Sequence, residues 1–511
     1  MASTPDTPGR PGRPVRPPSL LDALLPLGAL VILIGGALVL FGLDALDGPI
    51  QVALVLCCMV AALIALKNGN SLPAIQRAEQ SALSSISSAI FILLAVGALI
   101  GTWNMSGTIP TLVYYGLQVL SPGWYYAATA LICGVIAMSI GSSWTTAGTI
   151  GVGLVGVAIM LGVSPAITAG AVISGAYLGD KLSPLSETTV LTAQLVKVDT
   201  YRHIRQQAWT SVPAFGIAVV VFVVLGLARG PQPGAAQTAS VDLHELGEIF
   251  HITPLNLLPL VLLGFLSIKR VPASIALLSS ALFAGVLGAI LQYRIVAGFV
   301  GDPSGGLVVV SLKGIWSAMA TGFEKNSGVS DVDQLLSRGG MDSMLPTLWL
   351  IIGAVTFGTL LEEFGLISRL IDPILHAARG TGRLYLTVAG SGIGLNIVAG
   401  DQYIALVLPA RLFRSEFARR GLAPTNLSRL AADCGTVTSP LVPWNSCGAF
   451  MGAVLGVAVP RYLPFAVFCL ASPLLTVLYG FTGFRINRIE ATAEPVDPVA
   501  GQPPEPAAPD S

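Results

Sequence analysis

Asp180, Lys181 and Glu187 stand together in the stretch Gly179-Asp-Lys-Leu-Ser-Pro-Leu-Ser-Glu-Thr-Thr189, alongside the hydroxyls of Ser183, Ser186, Thr188 and Thr189. Carboxylates and neutral oxygens gathered in one short segment suit a hard cation such as sodium. Position makes the cluster telling. From Gln80 to Gly179 the chain has no Asp, Glu, Lys, Arg or His, and apolar chain soon resumes beyond the cluster. An ionised side chain in hydrocarbon costs about 3 kcal/mol on insertion scales, so such residues pair, line a watery path or bind an ion. Ser183-Pro184 interrupts the tract, because proline removes a backbone donor and disfavours helix at the residue before it. Carbonyl oxygens freed there are costly against lipid but coordinate a cation when they line a cavity.

The second half of the chain repeats this arrangement. Gly141-Ser-Ser-Trp144 and Gly162-Val-Ser-Pro165 answer to Gly400-Asp-Gln-Tyr403 and Gly421-Leu-Ala-Pro424, and Gly179–Leu185 matches Gly435-Thr-Val-Thr-Ser-Pro-Leu441 at Gly, Ser, Pro and Leu. Ala95–Ala98 resembles Ile351–Ala354, and all four pairs share an offset of 256 to 259 residues. Weak symmetry of this kind marks secondary transporters built from inverted repeats, with the site where helices from both halves break. The second loop offers Thr436, Thr438, Ser439 and Asn445 but almost no charge, with Trp444 as a wall; Asp401, five residues after Asn396, is the nearby carboxylate. The expected cation and proton site is therefore Asp180, Glu187 and Asp401. Supporting oxygens come from Ser183, Ser186, Thr188, Asn396, Thr436, Thr438, Ser439 and Asn445. Desolvation favours the protonated form of a carboxyl group. A carboxylate in a partly dry site then holds a proton or a sodium ion but not both, which is sufficient for exchange.

Several of these residues also carry a plainer reading. Asp180 and Lys181 mark the end of a span, where Lys181 would snorkel to the interface, or Lys181 pairs with Glu187. Asn396 is a ligand or a helix-packing amide. Asp433 belongs to the site or to the polar end of a helix. Glu362 and Glu363 follow a span and read as interfacial, and the basic run Arg411, Arg414, Arg419 and Arg420 reads as topology.

The elements that position these groups are membrane helices. Of 511 residues 53% are hydrophobic and only 11% charged, with a mean hydropathy of +0.76; soluble domains carry roughly 25% charged residues. Uncharged runs at Ala23–Leu43, Gly48–Leu66, Gln206–Ala228, Val271–Tyr293, Ser343–Leu361, Cys434–Pro460 and Tyr462–Phe484 each approach or exceed the ~20 residues of one crossing. With about four more in Gln80–Gly179, the expectation is an all-α polytopic protein of about 10–12 transmembrane helices in two duplicated, inverted repeats, each with a broken helix or re-entrant hairpin. Period-2 alternation is absent, which argues against a barrel. The expected domains are a tail at 1–19, a first half at 20–228, a polar linker at 229–254, a second half at 255–485 and a tail at 486–511; both tails read as disordered.

The first apolar run is too long for a cleavable signal core and lacks a small-residue cleavage pattern after it. Arg10, Arg13 and Arg16 before it, and Arg485 and Arg488 after the last run, place both termini in the cytoplasm by the positive-inside rule. Zero net charge implies no nucleic-acid partner. Six cysteines without a CxxC pair and four histidines without HExxH spacing point to neither disulfides nor zinc, and no cofactor is indicated beyond transported Na+ and H+.

The stretches from Gly141 to Gly151, Ser174 to Thr189, Ala399 to Phe413 and Asn426 to Phe450, with Phe250–Leu260 and Leu335–Met344, resemble the NhaC family of sodium/proton antiporters over about Leu21 to Phe484. The resemblance implies a bacterial inner-membrane antiporter that exports sodium in exchange for protons, with two inverted repeats, re-entrant hairpin tips at the two Ser-Pro loops, and a homodimer of scaffold and moving transport domains. Glu187 and Val190 depart from the usual family pattern at the first tip. A branch of the family resembles sodium-coupled malate/lactate exchange, so the alternative is Na+- or H+-coupled transport of a small organic solute, with Arg411 and Arg429 as candidate anion partners. An intramembrane enzyme, the reading from another class, has no GxSxG elbow or HExxH motif to support it.

Overall fold

The computed structural model describes residues 15–228, 243–301, 306–377 and 380–489. Most of the expected tails and the first part of the expected linker therefore lie outside the described residues. Within the linker, Leu243–Ile249 is helical. At the second tail the chain stays docked as far as Ile489: Leu422 bridges Arg488, and the Ile489 amide donates to the Gly421 carbonyl at 2.9 Å.

Apolar chain without alternation folds as helix, and among the described residues there is no strand beyond isolated bridges. Among the described residues seven helices are long and apolar enough to cross a membrane: Leu20–Phe41, Pro49–Lys67, Leu72–Met105, Ser143–Met160, Thr200–Ala228, Ala273–Leu291 and Asp342–Glu363. Two bent pairs, Leu243–Ile249 with Pro254–Ile268 (91°) and Ser446–Leu455 with Val459–Phe465 (86°), raise the number to nine when each is one span. Three shorter apolar helices, Tyr125–Ile140, Gly306–Ala320 and Val467–Thr482, fall below that length, so the described residues hold seven to nine spans by length and composition against the 10–12 expected. The second bend has a local cause. Gly456 ends one helix at φ +65° and Pro460 opens the next, the usual asymmetry of glycine after a helix and proline inside its first turn.

Helix packing divides the chain in a way that its order does not. One group forms around the long helix Leu72–Met105, with Pro49–Lys67, Ala273–Leu291, Gly306–Ala320 and Leu345–Glu363. The other contains Tyr125–Ile140, Pro165–Leu182, Thr200–Ala228, Thr381–Val398 and Val467–Thr482. Each group draws on both halves, so the boundary at 229–254 separates them in sequence and not in space. Asp22, which closes a capping box with Ser19, also pairs with Lys67 at 2.6 Å. That contact sets the start of the first helix beside the end of the second. In the basic run, Arg419 and Arg420 pair with Glu416 at 2.7 and 2.5 Å, and their hydrogen bonds hold its carboxyl below the usual carboxylate range. The stabilisation from this pairing is present at neutral pH and is lost as the pH falls through that lowered value.

The helix that ends in Asp180 is held against Tyr125–Ile140 by glycine contacts. A Cβ on Gly175 would strike the Ala130 carbonyl, and one on Gly179 would strike the Gly134 carbonyl and the Met138 amide. Small residues allow this approach where the hydrophobic effect offers no drive between helices. Gly179→Val is expected to force the helices apart at a cost of about 1–3 kcal/mol. A lowered thermal midpoint of the detergent-purified protein would show it; an unchanged midpoint would mean that the contact is not tight.

Candidate functional site

Both carboxylates that flank an interrupted tract are placed by helix ends. Tyr125–Ile140 ends at Gly141 (φ +79°), and Ser142 then caps the next helix by accepting from the Thr145 amide at 3.2 Å. In the second half Gly400 (φ +63°) follows Thr381–Val398, and Asp401 caps Gln402–Leu412 by accepting from the amides of Tyr403 and Ile404 at 2.8 and 3.1 Å. Left-handed backbone at these two positions favours glycine. The matched motifs thus have matched local geometry, with a hydroxyl at one cap and a carboxylate at the other. Gly162 and Gly421, also at positive φ, each precede a proline that opens a helix.

Asp180 lies in the last turn of Pro165–Leu182. Its Oδ2 accepts from Ser143 Oγ at 2.8 Å and its Oδ1 from Ser186 Oγ at 2.5 Å. Ser186 is the N-cap of Glu187–Leu195, accepting from the Thr189 amide, and Ser143 opens the helix capped by Ser142. Two helix N-termini, where partial positive charge gathers, therefore reach the same carboxylate. Asp401 has a parallel setting. Besides its backbone donors it faces Ser446 Oγ at 3.4 Å, and Ser446 opens the helix capped by Asn445. Asp180 is 6% exposed and Asp401 7%. Among the described residues neither has a Lys, Arg or His partner.

Asp180, Asp401 and Glu187 line one cavity of about 1060 Å³. One wall comes from the group that carries the carboxylates. The facing wall comes from the other helix group, through Ser81, Ser85, Ser88, Thr359, Glu362 and Glu363. Glu362 and Glu363, expected at the interface, are cavity residues. Glu187 projects into the open space. Among the described residues no three His, Cys, Asp or Glu side chains gather closely enough to hold one metal ion, so the three carboxylates share a cavity without closing a single coordination sphere. A second cavity, of about 830 Å³, is lined by Asp44, Asp47, Glu324, Arg338, Asp342 and Arg461 among others. It touches Pro346, Thr347 and Leu350 at the start of Leu345–Glu363, whereas the first touches Thr359 to Glu363 at its end. Trp144, in the wall of the first cavity, stacks at 4.1 Å on Phe450, which follows Ala449 in the wall of the second.

The expected oxygens divide. Ser186 and Thr188 stand at the site, 3.0 Å from each other. Ser183 instead holds the turn, donating to the Met138 carbonyl at 2.8 Å and accepting from the Leu185 amide. Asn396, Thr436, Thr438, Ser439 and Asn445 are buried but line neither cavity. Asn396 Nδ2 donates to the Gly435 carbonyl at 2.6 Å and to Thr438 Oγ1 at 2.9 Å, and Asn445 Nδ2 donates to Asn396 Oδ1 at 3.0 Å. Ser439 donates to the Thr436 carbonyl at 2.6 Å. Asn396, Thr438, Ser439 and Asn445 thus serve the broken segment itself, which must satisfy its own polar atoms before it can offer any to a ligand; the Thr436 hydroxyl is buried without a hydrogen-bond partner among the described residues.

Two expectations are corrected. Lys181 neither snorkels nor pairs with Glu187; it is 2% exposed and pairs with Asp433. Arg429, expected as a candidate anion partner, lines neither cavity; it is fully buried, donates to the Arg485 carbonyl at 3.2 Å and lies over the Tyr479 ring. Ser143 was missed, although it sits inside the repeated Gly-Ser-Ser-Trp motif; a hydroxyl within a motif that recurs in both halves is the signal that would have found it. The six cysteines are free, in keeping with their reading as small hydrophobes.

Helices broken around a cavity, with buried carboxylates from both halves and no basic partner for them, define a multi-pass membrane protein of the secondary-transporter class. The chain belongs to the Na+/H+ antiporter family, whose model matches residues 21–207 and 175–484. It is 38% identical to the Na(+)/H(+) antiporter NhaC of Alkalihalophilus pseudofirmus over 79% of this chain and 84% of that one. It is 33% identical to the Malate-2H(+)/Na(+)-lactate antiporter of Bacillus subtilis, covering 91% of this chain and 95% of that one. The arginine/ornithine antiporter ArcD of Halobacterium salinarum is 34% identical, with coverage of 92% and 93%.

Proposed function

We propose that this protein exchanges Na+ for H+ across the bacterial cytoplasmic membrane by alternating access, with both ions competing for Asp180, Glu187 and Asp401. One observation carries the reading: Asp180 and Asp401, one from each half, are buried without a basic partner and face one cavity between two helix groups. Burying a carboxylate in hydrocarbon costs about 3 kcal/mol, and a hydrogen bond to a charged group returns about 1.5–3 kcal/mol. Two donors hold Asp180 near balance, and a bound cation or proton tips that balance toward occupancy. A site so poised releases one ion as it takes the other. The halves are read as inverted repeats; the recurrence of left-handed glycine, cap and proline-led helix supports their duplication. Both termini are cytoplasmic. The reading is transport and not catalysis.

A second reading is favoured by volume. A cavity of about 1060 Å³ lined also by Arg270 is larger than a bare ion needs and lies just above the range typical of small-molecule sites, ~300–1,000 Å³. In that reading a small organic ion moves with Na+ or H+. One assay separates the two: proton movement in everted vesicles that contain the protein, on addition of sodium, lithium, potassium, malate, lactate or arginine in turn. Sodium, with no organic ion added, is expected to drive proton efflux. A response only when an organic ion is present overturns Na+/H+ exchange in favour of the second reading.

A further inference from the structure

Asp180 and Lys181 are consecutive, so a helix turns their side chains about 100° apart. Asp180 faces the cavity and Lys181 faces away from it, into protein. There Lys181 Nζ pairs with Asp433 Oδ1 across the two halves of the chain and reaches Ser472 Oγ at 3.2 Å. Asp433 Oδ1 also accepts from Ser472 Oγ at 2.7 Å and from Thr210 Oγ1 at 3.2 Å. None of these residues lines the cavity.

Asp433 lies in a π-helical turn, Ala432–Thr436, and the contacts continue from it. The Gly435 carbonyl of that turn holds Asn396, and Asn396 holds Asn445. Asn445 caps the helix opened by Ser446. The Ser446 amide donates to the Gly400 carbonyl at 2.8 Å, and its hydroxyl faces Asp401. A continuous buried path thus runs from the residue beside Asp180 to the donor on Asp401, entirely outside the cavity. π turns inside helices occur often at functional sites.

Resting on the transport reading above, we propose that Lys181 and Asp433 are positioning residues: this strut fixes how firmly the carboxylates of Asp180 and Asp401 are held at the cavity and thereby which alkali cation it prefers. Ion preference depends on cavity size and on how firmly the oxygens are held. A pair that served folding alone could be replaced by uncharged groups of similar shape without loss, whereas removing one partner strands a buried charge.

The test is therefore the double variant Lys181→Met with Asp433→Asn, assayed beside the unmutated protein for sodium- and lithium-driven proton movement. The variant is expected to reach the membrane in normal amount and to raise the KM for sodium about ten-fold, ~1.4 kcal/mol, with a changed sodium-to-lithium KM ratio. Loss of folded protein alone would lower the maximal rate for both cations and leave that ratio fixed. Asn396→Leu, which cuts the strut at its middle without touching a charge, is expected to move the ratio in the same direction. It decides the matter if the double variant does not fold. Unchanged KM values and ratio in a folded variant overturn the inference. Absence of any sodium-driven proton movement in the unmutated protein overturns the Na+/H+ exchange reading, and the inference with it.

Discussion

Asp180→Asn is expected to abolish sodium-driven proton movement while leaving the protein folded and in the membrane. Asparagine keeps the shape of the side chain and an acceptor oxygen for Ser143 or Ser186, whose hydroxyls now lie 2.8 and 2.5 Å from the carboxylate. What it removes is the charge. At an effective dielectric constant of about 20, two unit charges ~4 Å apart attract by roughly 4 kcal/mol, which corresponds to about a thousand-fold in affinity. The hydrogen bonds that remain are worth about 1 kcal/mol each to a neutral group, so they cannot make good the loss. The exchangeable proton goes with the charge, because an amide has no carboxyl to protonate. Fluorescence dequenching in everted vesicles, normalised to the amount of protein in the membrane, reads the outcome. Retention of more than about a tenth of the unmutated rate would be incompatible with a thousand-fold loss of affinity and would remove Asp180 from the site.

The sequence made some of this site legible and concealed the rest, for physical reasons. The Gly179–Thr189 cluster was visible because hydrocarbon makes every charge conspicuous, and Asp401 because it is a lone charge between the uncharged runs Leu384–Gly400 and Gln402–Ala410. The repeated motifs were visible because left-handed glycines and helix-opening prolines restrict residue choice. The partner of Lys181 was hidden: Asp433 lies 252 residues away, and no local pattern announces a contact at that range. Glu187, nearby and of the right sign, was the natural misreading. Asn396, Thr436, Thr438, Ser439 and Asn445 have the right chemistry for a ligand set. A sequence cannot tell an oxygen that faces a cavity from one that satisfies a neighbouring backbone group. The two spatial groups were also out of reach, since each interleaves helices from both halves.

Asp401 separates two roles that its position combines, and three substitutions are expected to divide them. As a cap it accepts from the amides of Tyr403 and Ile404; as a cavity residue it presents its charge beside Ser446. Asparagine is about as good a cap as aspartate, and alanine loses about 1 kcal/mol at that position. Asp401→Asn should therefore leave the thermal midpoint close to that of the unmutated protein. The loss of favourable charge at a helix N-terminus accounts for ~0.3–1 kcal/mol at most. Asp401→Ala should lower the midpoint further. For transport the order differs: both variants lose the charge, and both are expected to lose sodium-driven proton movement to a similar extent. Asp401→Glu keeps the charge on a side chain one methylene longer, and should retain activity with a raised KM for sodium. If Asp401→Asn transports with the KM of the unmutated protein, the residue is only a cap, and the cation is held by the first-half loop alone. If the glutamate variant is active while the asparagine variant is silent and equally stable, the charge at this cap is part of the ion path.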